Sequence, residues 1–187
     1  NGTNARRIAE YFAKNSAAEV AMILSNRKDA FVLERAKSSN IPSRVFDRSM
    51  FYHSDEVLNW LLEARIDLVV LAGFLWLVPS NLIAAFPNRI INIHPALLPK
   101  YGGRGMFGDV VHKAVIEAGE TESGITIHFV DEKYDHGNII FQAMCKIERG
   151  DTPEVLANKV HQLEYKYYPE VIERLLVGDQ IKSDSAF

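Results

Sequence analysis

The stretch Asp67-Leu68-Val69-Val70-Leu71-Ala72 decides how the chain folds. After its first residue it is apolar on both alternating faces. A strand reads that way when helices cover the sheet on both sides, as in a parallel sheet. The segments around it follow suit. Residues 55–64 put Val57, Leu58, Leu61 and Leu62 on one face of a helix. Residues 79–86 read as a short helix with Pro79 at its first turn. Residues 89–93 (Arg-Ile-Ile-Asn-Ile) read as a second strand, stopped by Pro95.

Toward the N-terminus, residues 5–14 form an amphipathic helix with Ile8, Tyr11 and Phe12 at helical spacing. Residues 18–24 read as a buried strand, residues 30–38 as a helix and residues 44–46 as a short strand. Toward the C-terminus, residues 97–108 hold Pro99 and four glycines and read as a loop. Residues 109–118 form a helix that ends before Gly119. Residues 124–130 and 138–147 are β-rich and predict an antiparallel pair at a sheet edge. Thr152 caps a last helix, with Pro153 at its first position, that runs to about Leu176 and bends near Pro169. The tail after Gly178 is polar and reads as loose. Strands alternating with helices predict an α/β fold built on a doubly wound, mostly parallel sheet.

The 187 residues, 48% of them apolar, suit one well-buried domain. The net charge of -3, with both signs mixed, gives no basic face for nucleic acid. No apolar run reaches the roughly 18 residues that span a bilayer. The one cysteine, Cys145, rules out an internal disulfide framework and reads as a buried free thiol. A reducing, cytoplasmic setting is expected, with small-molecule substrates, no nucleic acid, no membrane, and a monomer or weak homodimer. The helical pattern starts almost at Asn1, without a leading strand. One domain over residues 1–187 is therefore expected to lack its first strand, carried by about nine or ten residues before Asn1.

In a doubly wound sheet, ligands bind beyond the carboxyl ends of the strands. Three segments there, and one helix, carry chemistry. Asn1-Gly2-Thr3-Asn4 opens a helix, where free N–H groups and the helix dipole suit a phosphate; the plainer alternative is an ordinary N-cap. Alternation puts Asn92 and His94 on one side of a strand end. An amide N–H and an imidazole suit a carbonyl whose oxygen becomes negative during attack. Residues 128–137 (His-Phe-Val-Asp-Glu-Lys-Tyr-Asp-His-Gly) form an acidic loop in which Asp135 can hold His94 charged, a plain hydrophilic turn being the alternative. His128, Asp131, Asp135 and His136 are metal-ligand types, but their spacing is not that of a compact site, and no metal is expected. His161 and Glu164, three apart, share one face of the last helix.

Taken together these segments resemble the phosphoribosylglycinamide formyltransferases, a folate-dependent family with a Rossmann-like fold. The likeness rests chiefly on Asn92-Ile93-His94-Pro95-Ala96-Leu97-Leu98-Pro99-Lys100-Tyr101. Asn1-Gly2-Thr3-Asn4, Ser25-Asn26-Arg27, Leu71-Ala72-Gly73-Phe74, residues 124–130, Asp135-His136-Gly137, residues 161–164 and Tyr168-Pro169 add to it. The resemblance implies formyl transfer from 10-formyltetrahydrofolate, a co-substrate, to the amine of 5-phosphoribosylglycinamide in purine biosynthesis. It implies Asn92, His94 and Asp135 as the catalytic group, with Asp135 raising the proton affinity of His94. Gly2, Thr3 and Asn4 would hold the substrate phosphate, and His161 and Glu164 the ribosyl glycinamide. Leu75, Trp76, Leu77, Val78 and Asn92, with Asp131, Glu132, Lys133, Tyr134 and Asp135, would line the folate pocket. Neither a metal nor a covalent intermediate is needed.

Formyltetrahydrofolate hydrolase and methionyl-tRNA formyltransferase share this kind of domain and are the nearest rivals. They normally add, respectively, an N-terminal regulatory and a C-terminal nucleic-acid-binding domain. A non-catalytic folate- or nucleotide-binding module is a rival of another class. It would have no need of Asn92, His94 and Asp135 together.

Overall fold

The computed structural model describes residues 2–178, so Asn1 and the polar tail lie outside the described residues. Along the chain run α1 (Thr3–Phe12), β1 (Ile23–Ser25), α2 (Phe31–Ser38), β2 (Ser43–Val45), α3 (Arg48–Tyr52) and α4 (Glu56–Glu63). There follow β3 (Val69–Leu71), α5 (Ser80–Ala85), β4 (Ile90–His94), α6 (Asp109–Glu117), β5 (Glu122–Phe129), β6 (Ile139–Lys146) and α7 (Pro153–Val177). This is the expected α/β alternation. None of these helices is long and apolar enough to cross a membrane.

The strands form two sheets among the described residues. β1 and β2 pair in parallel, and β3-β4-β5-β6 form a four-stranded sheet. β3 and β4 are parallel, while β5 runs antiparallel to both β4 and β6. The antiparallel edge therefore begins one strand earlier than the hairpin-like pattern implied. The run 18–24 is strand only at its end, because an apolar run is a strand only where a neighbour offers its backbone, and β2 meets only Ile23–Ser25. The five-residue α3 escapes the sequence pattern because it is too short to show a period. The Asp47 side chain starts it by accepting the Met50 N–H at 2.9 Å.

Two apolar layers cover the larger sheet. Ile91 and Ile93 of β4 join Ile125, Ile127 and Phe141, packed against Val111, Val115, Leu156, Val160 and Val171. Ile90, of opposite parity, joins Phe46, Phe51, Val57, Leu61, Val78, Leu82 and Phe86. Tyr168, fully buried on α7, donates its hydroxyl to the Leu71 carbonyl at 2.7 Å and so ties the last helix to the end of β3. α7 remains helical through Pro169. Cys145 is half-buried rather than buried, because edge strand β6 has one face partly open; its burial still pushes the thiol pKa up.

Candidate active site

Beyond the carboxyl ends of β3 and β4 lies a cleft of about 780 Å³. Alternation along β4 sends Ile91 and Ile93 into one core layer and turns Asn92 and His94 the other way. The register with β5 sets His128 opposite Asn92 and Thr126 opposite His94. Thr126, fully buried, accepts the Leu98 N–H at 2.9 Å and donates to the Ala96 carbonyl at 2.7 Å. It thereby shapes the turn that brings Tyr101 and Gly103 back over His94.

Hydrogen bonds fix both imidazoles. His94 Nε2 lies 2.7 Å from the Tyr101 carbonyl, which can only accept, so Nε2 carries a proton and Nδ1 is left for other partners. Asp135 Oδ2 stands 3.5 Å from that Nδ1, and the Gly103 N–H donates to the same oxygen at 2.9 Å. His128 Nδ1 likewise donates to the Phe129 carbonyl at 2.8 Å. Its Nε2 meets the Asn92 amide nitrogen at 3.2 Å and lies 3.6 Å from Asp135 Oδ1. Asp135 adopts φ 53°, a left-handed conformation that aspartate tolerates better than most side chains.

The electrostatics differ from the expectation. Burial pushes His94 below the ordinary histidine pKa, and Asp135 and the Tyr101 carbonyl only partly offset it. The proposed raising of His94 by Asp135 is thus outweighed in this structure, because the ring is 3% exposed and a desolvated cation is costly. For Asp135, burial favours the neutral acid, but His128, His94 and the Gly103 N–H outweigh it and hold the pKa below the ordinary carboxylate value. The resting arrangement is a carboxylate beside a neutral imidazole.

One arm of the cleft ends at α1. Gly2 caps that helix in the left-handed region at φ 64° and, having no side chain, gives the first-turn N–H groups no side-chain cap. A Cβ there would come within 2.7 Å of Val32 Cβ, so only glycine fits. Gly2, Thr3 and Asn4 line the cleft together with His161, Glu164 and Tyr165 of α7. Asn4 donates its amide to Glu164 Oε2 at 2.9 Å. Burial raises the Glu164 pKa, although Asn4 and His161 oppose it.

The other arm is apolar. Leu75, Trp76, Leu77 and Val78 line it with Phe74, Val130, Lys133 and Tyr134. Phe46, Phe51 and Phe74 back Trp76 with ring centroids 5.8 to 6.0 Å away, and the Arg48 guanidinium covers it at 5.0 Å. Tyr52 donates its hydroxyl to the Leu77 carbonyl at 3.0 Å.

Asn92, Lys133, Tyr134 and Asp135 also line the cleft, whereas Asp131 and Glu132 are not among its lining residues. Asp131 instead accepts the Lys133 N–H at 2.8 Å and holds His136 Nδ1 at 2.7 Å, so it braces its own loop. Glu132 is exposed. Among the lining residues outside the expected site are two histidines, His128 and His112. His128 was legible only as a metal-ligand type, although its place in the alternation of β5 could have revealed it. His112, one step past the core residue Val111 on α6, carries no distinguishing sequence signal.

The formyl transferase family profile matches residues 1–172. The phosphoribosylglycinamide formyltransferase of Haemophilus influenzae is 37% identical over 182 residues, covering 95% of this chain and 84% of that protein. The chloroplastic enzyme of that name from Arabidopsis thaliana is 45% identical over 177 residues, covering 91% of this chain. The chain spans 61% of the Arabidopsis protein's length and 57% of that of its Vigna unguiculata counterpart. Among solved structures, the phosphoribosylglycinamide formyltransferase of Anaplasma phagocytophilum superimposes with a TM-score of 0.86 at 32% identity, covering 94% of this chain and 82% of that one. That of Bacillus halodurans gives 0.83 at 38% identity, covering 94% and 90%. Profile, relatives and fold agree, and the chain belongs to the formyl transferase family.

Proposed function

We propose that the protein transfers the formyl group of 10-formyltetrahydrofolate to the amine of 5-phosphoribosylglycinamide, a step of purine biosynthesis. The observation that carries this reading is the convergence of two unlike arms on Asn92, His94 and Asp135. The arm at α1 offers unsatisfied N–H groups to a phosphate and Glu164 to ribose hydroxyls. The apolar arm, floored by Trp76, suits a flat heteroaromatic ring such as a pterin. Two substrates of those shapes would meet where β4 ends.

Each residue then has a role. Asn92 aims its amide at the formyl oxygen, where negative charge develops, while His128 Nε2 orients that amide. His94, neutral at rest, takes the proton lost by the attacking amine. Burial makes this imidazolium unfavourable in isolation, and the Asp135 carboxylate beside Nδ1 stabilises it. As the carbon–nitrogen bond to the folate breaks, His94 returns the proton to the departing nitrogen. The proton is thus carried across the site and none is left over.

Hydrolysis of the formyl donor is the second reading, and the subsite formed by Asn4, His161 and Glu164 disfavours it, because water needs no such partners. Incubating the protein with 10-formyltetrahydrofolate, with and without 5-phosphoribosylglycinamide, tests the choice. Release of tetrahydrofolate only with the ribonucleotide is expected. Equal release in water alone would replace transfer by hydrolysis.

A further inference from the structure

His112 is the most deeply buried polar group on the cleft wall for which the steps above provide no use. It is 2% exposed, and its Nδ1 is buried without a hydrogen-bond partner among the described residues. Its neighbours Val111 and Val115 on α6 join the main core, whereas His112 lines the cleft. Its ring meets that of His161 edge to face, with centroids 6.4 Å apart. His161 in turn stacks on Tyr165 at 6.0 Å. On the same cleft, Asn4 Oδ1 is a second buried atom without a partner among the described residues, its amide nitrogen being held by Glu164.

Two orphaned polar atoms on one cleft wall are uncommon, since folded chains pair almost all their buried polar groups. Such atoms are accounted for when a ligand supplies the missing partner. Burial keeps His112 uncharged, and His161 and His94 both disfavour a proton on it while Asp109 only partly opposes them. It can therefore offer a lone pair or an N–H but not a charge.

Resting on the reading that the cleft binds a phosphoribosyl amine, we propose that His112 is a further binding residue for that substrate, completing with Asn4 and Glu164 a polar set that hydrogen-bonds its phosphoribosyl moiety. His112 meets His161 of α7, which lines the cleft with Asn4 and Glu164 of the α1 arm, so His112 is assigned to the amine substrate and not to the formyl donor. A hydrogen bond of this kind is worth about tenfold in affinity.

Steady-state kinetics of the wild type, His112→Leu and His112→Asn, with calorimetric titration of 5-phosphoribosylglycinamide alone, tests this. His112→Leu is expected to raise KM and Kd for the ribonucleotide about tenfold and to leave KM for 10-formyltetrahydrofolate within about twofold. His112→Asn, which keeps a hydrogen-bonding group near the Nδ1 position, is expected to recover much of the loss. Unchanged ribonucleotide affinity in His112→Leu would overturn the proposal, as would an equal rise in both KM values. If His112→Leu does not fold, His112→Phe, which keeps a ring against His161 but carries no hydrogen-bonding nitrogen, takes its place: the same rise of about tenfold in ribonucleotide KM is expected, and an unchanged ribonucleotide KM would overturn the proposal. A wild type that neither binds nor formylates the ribonucleotide would overturn the underlying function itself, a result distinct from the failure of His112 alone.

Discussion

Asp135 Oδ2 stands 3.5 Å from Nδ1 of His94, and the Tyr101 carbonyl fixes the ring so that this nitrogen, not Nε2, faces the carboxylate. The pair is poised and not yet tightly bonded. Its attraction grows only when His94 takes a proton, which the proposed reaction requires in mid-course. Asp135→Asn keeps an acceptor for the Gly103 N–H, and the loop is expected to hold its shape. It removes the charge that stabilises the imidazolium. A loss in kcat of about a hundredfold or more, with both KM values nearly unchanged, is the expected result of single-turnover and steady-state assays.

Asn92→Leu is expected to lower kcat by about 10²- to 10³-fold, the usual cost of one oxyanion donor. Leucine shares the branched skeleton of asparagine, though it is bulkier, and offers no N–H, so the loss should fall on kcat more than on substrate affinity. A variant whose KM rises while kcat stands would assign Asn92 to binding instead.

Stability should fall in mild acid because of His94. Its folded pKa lies below the ordinary value of about 6.5, so between the two the unfolded chain takes a proton that the folded ring refuses. Unfolding free energy therefore decreases as pH drops through that window. Asp135, with a folded pKa below the usual carboxylate value, stabilises the fold above that value and loses this contribution only as pH falls through the folded one. Urea titrations at about pH 7 and about pH 5.5 should show a smaller difference in His94→Gln than in the wild type. Part of the slope should remain, because His112 is lowered in the same sense.

Trp76→Ala should raise KM for the formyl donor about tenfold, since it removes the floor of the apolar arm. KM for the ribonucleotide should stay put. Isothermal titration with each substrate separately checks the split between the arms.

Gly124→Ala is expected to destabilise the fold by roughly 3 kcal/mol. A Cβ at this position would collide with the Ala143 carbonyl oxygen, so β5 and β6 would have to part. Thermal unfolding monitored by circular dichroism would register the drop. The strand pair also carries Thr126 and His128, and kcat should fall with it.

How much of this was legible in the chain differs from element to element. The apolar run around Val69 identified a strand that pairs in parallel with β4, but β3 lies at the edge of the four-stranded sheet and its residues are half-buried rather than covered on both faces. The period of two in Ile90–His94 identified Asn92 and His94 as neighbours on one face. The motif order identified the family, which the profile over residues 1–172 shows directly. These are local properties, written in neighbouring residues. The tertiary structure decided three other things. It brought Asp135, 41 positions away from His94, beside its ring. It set His128 against Asn92 through a strand register that no single segment encodes. It also made His94 neutral at rest, since the balance between desolvation and one carboxylate depends on how much water packing excludes. Spacing along a chain carries periodicity, whereas proton affinity and cross-strand partnership depend on distances and dielectric that exist only once the layers have closed.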